Sequence, residues 1–213
     1  HFQAAARPCS SHNEICRCPG ESGAFRVSSC DGPAKGEFLM DPGGEATVRT
    51  IRTMHDYPPG FIGTIATLFA RTIAASHGVD WTLDLMIAEQ QCEFFRRFDP
   101  QRDRVWAAMD RDIPRGGLTI DGPRPETGRE SARLRFFILD TAIRGCGLGR
   151  QMLAEAMQFC RAQKYRRVYL TTLPGLDAAL HLYYEQGFTL LSESCDAFHG
   201  SRYVEQTLEC KLG

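Results

Sequence analysis

The sequence predicts one mixed α/β domain, a central sheet of about seven strands with about four helices, and three observations carry the prediction. Apolar residues recur at helical spacing in four segments, strand-like runs alternate with them, and a glycine-rich turn from Arg144 to Gly149 joins an apolar strand to an amphipathic helix. The 213 residues, 43% hydrophobic and 24% charged, are enough to bury one sizeable core.

The elements follow in order. Residues 1–44 are rich in Gly, Pro, Ser and Cys without periodicity, so they read as a disordered or non-native tail, and 45–213 as the folded domain. Val48 and Ile51 mark a first strand, and Tyr57-Pro58-Pro59-Gly60 breaks the chain before a helix whose Ile62, Ile65, Ala66, Phe69 and Ile73 share one face. Gly78 reads as its stop. A second helix starts near Thr82, carries Leu83, Met86, Ile87 and Phe94 on one side, and ends before Pro100.

Arg104 to Met109 and Gly117 to Ile120 read as strands joined around Asp112-Ile113-Pro114, and Asp121-Gly122 opens a polar loop running to Ser131. Leu134 to Leu139 is nearly all apolar, as a strand buried on both faces should be. Gly147 to Lys164 is a helix, Val168 to Thr172 a strand, Asp177 to Gln186 a helix, and Thr189 to Ser192 and Tyr203 to Leu212 close the sheet.

Composition excludes several classes. A net charge of -1 and a pI near 6.7 give no field for tracking nucleic acid or an anionic membrane. No apolar run reaches the roughly 20 residues that span a bilayer, and no signal-like segment opens the chain, which leads us to expect a cytoplasmic protein. Four of the nine cysteines, Cys9, Cys16, Cys18 and Cys30, fall in the tail; the spacing of Cys16 and Cys18 with His12 is not that of zinc ligands, so no metal is expected.

The turn carries the chemistry. The first N–H groups of a helix lack intrahelical partners and sit at the positive end of its dipole, where an anion binds. Gly145, Gly147 and Gly149 let the backbone approach a pyrophosphate, and Arg144 adds a charged donor. The dinucleotide pattern G-x-G-x-x-G fails in either frame, and the P-loop fails because no Lys-Ser or Lys-Thr follows.

The segment L-D-T-A-I-R-G-C-G-L-G from Leu139, followed by A-L-H-L-Y-Y-E-Q-G-F from Ala179, resembles the two main motifs of the GNAT superfamily of N-acetyltransferases. A-S-H-G-V-D, R-R-F-D-P and A-R-L-R-F-F-I-L-D further resemble the acetyltransferase half of proteins that fuse a MarR-type regulator to a GNAT domain. Thr141, where the family usually has proline, and Leu176, where many members have asparagine, depart from the pattern.

The resemblance implies the GNAT fold, with a strand pair that splays at the cofactor site, and acetyl-CoA as cosubstrate. It places the cofactor against Phe137, Ile138 and Leu139 of the strand and against Arg144, Gly145, Cys146, Gly147, Leu148, Gly149 and Arg150 of the turn. A Leu139 N–H at the developing oxyanion would stabilise it. Tyr183 matches the family's general acid, with Tyr184 the neighbouring alternative.

No base is assigned. Arg133 stands where histone-type members carry a glutamate, and Glu89, Glu93, Asp110, His181 and His199 are titratable without further distinction. The implied activity is acetyl transfer to a primary amine of a small or amino-acid-like molecule. A non-catalytic acyl-CoA sensor and an enzyme acting on protein N-termini or lysines remain the alternatives. The acceptor pocket is expected from the first two helices, the loop from Asp121 to Ser131 and the hairpin around Phe198 to Tyr203, and the resemblance allows a homodimer through the closing strands.

Overall fold

The computed structural model describes the backbone of residues 25–27, 36–40, 46–54, 57–77, 82–124, 131–198 and 201–212. Its strands are β1 (Phe25–Val27), β2 (Gly36–Met40), β3 (Ala46–Met54), β4 (Arg104–Asp110), β5 (Ile113–Asp121), β6 (Ser131–Leu139), β7 (Arg167–Thr172), β8 (Thr189–Phe198) and β9 (Ser201–Lys211). Its helices are α1 (Phe61–His77), α2 (Thr82–Arg96), α3 (Leu148–Ala162) and α4 (Asp177–Glu185), with a short 3-10 turn at Thr141–Ile143.

All strands join one mixed sheet in the order β1-β2-β3-β4-β5-β6-β7-β9-β8, antiparallel except where β6 meets β7. The four helices stand where helical periodicity places them, and the chain from β3 onward has the expected element order. Among the described residues the sheet holds the seven strands expected, β3 to β9, and two more, β2 paired with β3 and β1 paired with β2, from within the segment read as a tail. Composition averaged over 44 residues hides a run as short as Glu37-Phe38-Leu39-Met40. The remainder of that segment, and the Gly78 stop, lie outside the described residues.

Two apolar layers sandwich the sheet. On one face α3 contributes Met152, Leu153, Ala156, Met157 and Cys160, spaced to form one stripe, against Trp106, Leu118, Ile120, Leu134, Val168, Leu170 and Leu208. On the other, Phe61, Ile65 and Ile73 of α1 and Leu83, Ile87 and Phe94 of α2 cover Val105, Ala107, Met109, Phe136 and Ile138. Each of these fully buried large side chains contributes about 1.5–3 kcal/mol before entropy is charged. β6 lies between the layers, which explains its nearly unbroken apolar run.

Two irregularities in β6 position the site. Phe136 has φ +56°, and the β5 register slips there, with Gly117 opposite Ile138 but Thr119 opposite Arg135, so β6 carries one extra residue. The parallel ladder to β7 covers only Ser131, Ala132 and Arg133. From Leu134 onward the two strands diverge, and the sheet opens beside the bulge.

Candidate functional site

The turn after β6 is held by its own backbone. Asp140 accepts a bond from the Ala142 N–H at 3.0 Å, the Arg144 N–H donates to Thr141 O at 3.2 Å, and Gly145 (φ +80°) and Gly147 (φ +82°) reverse the chain into α3. A side chain at either glycine would be strained, and a Cβ there would project into open space. Gly147 caps α3, whose first intrahelical bond runs from Gln151 N to Gly147 O at 3.0 Å, leaving the N–H groups of Leu148, Gly149 and Arg150 ahead of it.

The side chains here divide in role. Leu148 is buried in the core, so only its backbone is available to a ligand. Arg144 is exposed and its Nε donates to Leu139 O at 2.9 Å, tying the turn to the strand end. Arg150 forms a two-bond pair with Glu185 of α4 at 3.0 and 3.1 Å, and the half-buried Cys146 thiol donates to Ile143 O at 3.2 Å. A Cβ at Gly149 would sit 3.5 Å from Phe137 Cζ, which brings Phe137 to the border of the turn.

Phe137 also lines a cavity of about 410 Å³ in the opening between β6 and β7. Phe69 and Ile73 of α1 and Leu83, Met86 and Ile87 of α2 form one wall, and Leu173, Leu176 and Ala179 flank Tyr183 on another. Both helices line this cavity and Asp121 to Arg124 and Ser131 do not, while the side chains of 125–130 and 196–203 lie outside the described ones. Leu176 stands at the N-terminus of α4 without a side-chain cap.

Tyr183 is 5% exposed, with its ring centroid 6.0 Å from Phe137 and 5.8 Å from Phe188. Burial pushes its phenol above the ordinary tyrosine value. Tyr184, one residue on and about 100° around the helix, is 51% exposed and does not line the cavity.

The polar lining is Gln90, Arg133, Arg135, Thr171, Thr172 and Glu205. Arg135 is buried and already held: it donates to Asp121 at 3.2 Å and to Gln90 at 3.1 Å. Burial would raise the Asp121 carboxyl, but two bonds from Arg97 at 2.8 and 2.7 Å, with the charges of Arg97, Arg135 and Arg124, outweigh it and hold that group below the usual carboxylate range.

Arg133 donates through Nη2 to Thr171 Oγ1 at 3.2 Å, and its Nε is buried without a partner. Among the described residues Glu205 is the one acidic side chain in the lining. Period-2 alternation puts it on the strand face of Thr207 and Glu209, a signal the sequence contains but which reading β9 only as a closing strand leaves unused.

The other titratable candidates are elsewhere. Glu93 bonds Arg97, Asp110 lies 3.8 Å from Arg115, His181 pairs with Glu185 at 3.2 Å, and Glu89 is exposed. His199 lies outside the described residues. Among the described residues no group of three or more His, Cys, Asp or Glu side chains is placed to hold a metal, and no helix is long and apolar enough to cross a membrane.

The model of the Acetyltransferase (GNAT) family matches residues 71–188, which span α2 to α4 and include the turn and Tyr183. Among curated proteins none matches. Among solved structures, a GCN5-related N-acetyltransferase from Kribbella flavida is 19% identical with a TM-score of 0.59, over 76% of this chain and 98% of that one. A ribosomal-protein-alanine N-acetyltransferase from Brucella melitensis is 18% identical with a TM-score of 0.57, over 76% and 99%. A protein from Salmonella typhimurium, solved with its cofactor acetyl-CoA, is 14% identical with a TM-score of 0.55, over 76% and 94%.

Proposed function

Because this chain belongs to the acetyltransferase (GNAT) family, we propose that it transfers an acetyl group from acetyl-CoA to the primary amine of a small or amino-acid-like molecule. The observation that carries this reading is the continuity through Phe137, which borders Gly149 of the anion-binding turn on one side and shares a cavity with the buried Tyr183 on the other. A ligand with a pyrophosphate at one end and a reactive group at the other is what such a path accommodates.

The open faces of Gly145 and Gly147 fit a pyrophosphate: both backbones have the left-handed φ that excludes a Cβ, and the N–H groups at the start of α3 aim a positive dipole end at the same place. Arg144 is exposed beside them, and Arg150 reaches the same end of the helix from its pair with Glu185. Along β6 the backbone from Leu134 to Leu139 has no ladder partner on the β7 side, so that, apart from the Leu139 O held by Arg144, the stretch Phe137, Ile138 and Leu139 is open to an extended arm as it would be to an added strand. A Leu139 N–H turned to the acetyl oxygen would stabilise developing charge.

Bound acetyl-CoA supplies the acetyl group as a thioester. Tyr183 holds a proton for the departing sulfur, and burial keeps the phenol protonated throughout the neutral and mildly alkaline range. The apolar side chains of α1 and α2 in the lining lower the local dielectric, which would strengthen a hydrogen bond from the phenol. The small volume supports a small acceptor. Thiol release from acetyl-CoA over a panel of amines and short peptides, with coenzyme A affinity measured beside it, tests the reading: turnover of peptides alone would shift it to protein N-termini, and binding without any release would make the chain an acyl-CoA sensor.

A further inference from the structure

The cavity holds a cation and an anion that do not satisfy each other. Arg133 lines it with Nη2 on Thr171 and its guanidinium carbon 5.9 Å from the Tyr169 ring centroid; its Nε is buried without a hydrogen-bond partner, and no carboxylate pairs with it among the described residues. Among the described residues Glu205 is the only acidic side chain in the lining, and it makes no hydrogen bond or ion pair with any of them. Arg135, the other cation there, is consumed by Asp121 and Gln90.

Register sets the separation. Thr171, which Arg133 bonds, lies opposite Thr207 of β9, and Glu205 is two residues further along the same face. A strand spacing of ~4.8 Å and a rise of ~3.3 Å per residue put the Thr171 and Glu205 Cα atoms roughly 8 Å apart. A small molecule therefore reaches both side chains at once. Arg133 is also distant from the anion-binding turn: the strand from Arg133 to Leu139 lies opposite the five steps of β5 from Asp121 to Gly116 and spans roughly 16 Å, so its charge is not spent on the pyrophosphate.

We propose that Arg133 and Glu205 form the acceptor subsite, and that the acceptor is a zwitterionic amino acid whose carboxylate bonds Arg133 and whose ammonium faces Glu205. This rests on the acetyltransferase reading only for what happens next; the recognition itself is a property of the cavity. A neutral amine lacks the group that Arg133 awaits, and a carboxylate without an ammonium leaves Glu205 opposite nothing.

The test measures equilibrium binding to the coenzyme-A-saturated protein for the common amino acids, their amides and their N-acetyl derivatives, beside thiol release from acetyl-CoA. At least one free amino acid binds, and its amide and its N-acetyl form are each weaker by on the order of 10-fold or more, the loss expected of a charge-assisted bond. Arg133→Gln lowers affinity for the acid and the N-acetyl form but not the amide; Glu205→Gln lowers it for the acid and the amide but not the N-acetyl form. Arg133→Lys restores part of the carboxylate preference.

A merely structural role would lower all three ligands together. That outcome, equal binding of the three forms, or no binding of any amino acid, overturns the proposal. The selective pattern without thiol release sustains it while removing the acetyltransferase reading. Turnover indifferent to the carboxylate does the reverse.

Discussion

Tyr183 and Phe137 stand with ring centroids 6.0 Å apart, a residue of α4 against a residue of β6, both lining the opening where β6 leaves β7. The contact fixes the tyrosine ring by packing, so removing its hydroxyl leaves the ring in place. Tyr183→Phe is expected to retain the fold and coenzyme A affinity and to lose about 10²-fold in kcat, while the exposed Tyr184→Phe keeps wild-type turnover. Steady-state kinetics on both variants decides between them.

The raised phenol pKa of Tyr183 gives the pH dependence its sign. The folded state binds the proton more tightly than the unfolded chain, so this contribution to stability is complete below pH ~10 and is lost as pH rises through the higher folded value. Wild-type kcat accordingly shows no fall from phenol ionisation between about pH 9 and pH 10. A kcat profile that declines with an apparent pKa near ~10 and flattens in Tyr183→Phe would contradict the buried assignment.

Gly147→Ala places a Cβ at φ +82° and in the open space in front of the turn. The backbone strain costs about 1–2 kcal/mol, and coenzyme A affinity falls by at least the same factor again because the methyl group occupies the anion's position. Chemical denaturation and calorimetric titration separate the two losses. Gly145→Ala, at φ +80° with the same open surroundings, should behave alike.

Arg97, Arg124 and Arg135 converge on Asp121 at the end of β5. Asp121→Asn takes from the buried Arg135 its nearer charge partner, leaving Glu93 at 3.6 Å, and is expected to destabilise by about 3 kcal/mol at pH 7. The Asp121 carboxyl is held below its usual range, so its contribution is present above the unfolded value of ~3.9 and is lost as pH falls through the lower folded value. Urea unfolding at pH 7 and near pH 3 should therefore show a smaller difference between wild type and Asp121→Asn at the acid end.

Gly116 faces the strand that carries the site. A Cβ there would lie 2.4 Å from Ile138 O and 2.8 Å from Leu139 Cα, both backbone atoms that cannot turn aside. Gly116→Ala should cost about 3 kcal/mol and weaken coenzyme A binding together, since β6 must shift where it meets the ligand. Thermal unfolding with and without coenzyme A checks both effects.

The helices were legible because their apolar residues keep strict spacing, as with Met152, Leu153, Ala156, Met157 and Cys160 on one stripe of α3. The turn was legible because Gly145 and Gly147 report positive φ through residue type alone. The bulge was not: Phe136 takes φ +56° although a bulky side chain disfavours it, a conformation that tertiary packing imposes. Arg135 likewise sits in an apolar run as a buried charge, and partners distant in sequence, Asp121, Gln90 and Glu93, make that tenable. Alternation along β9 gives the face of Glu205, but its place beside Arg133 and Thr171 comes from the pairing of β7 with β9, which joins segments distant in sequence.

The central claim is tested most directly by incubating the chain with acetyl-CoA carrying an isotopically labelled acetyl group and an equimolar mixture of free amino acids, then reading the label in the small-molecule fraction by mass spectrometry. Wild type yields labelled N-acetyl product, and Tyr183→Phe yields it at a roughly 10²-fold lower rate. Saturable coenzyme A binding with the label never leaving the thioester, for amino acids, other amines and peptides alike, would contradict the claim.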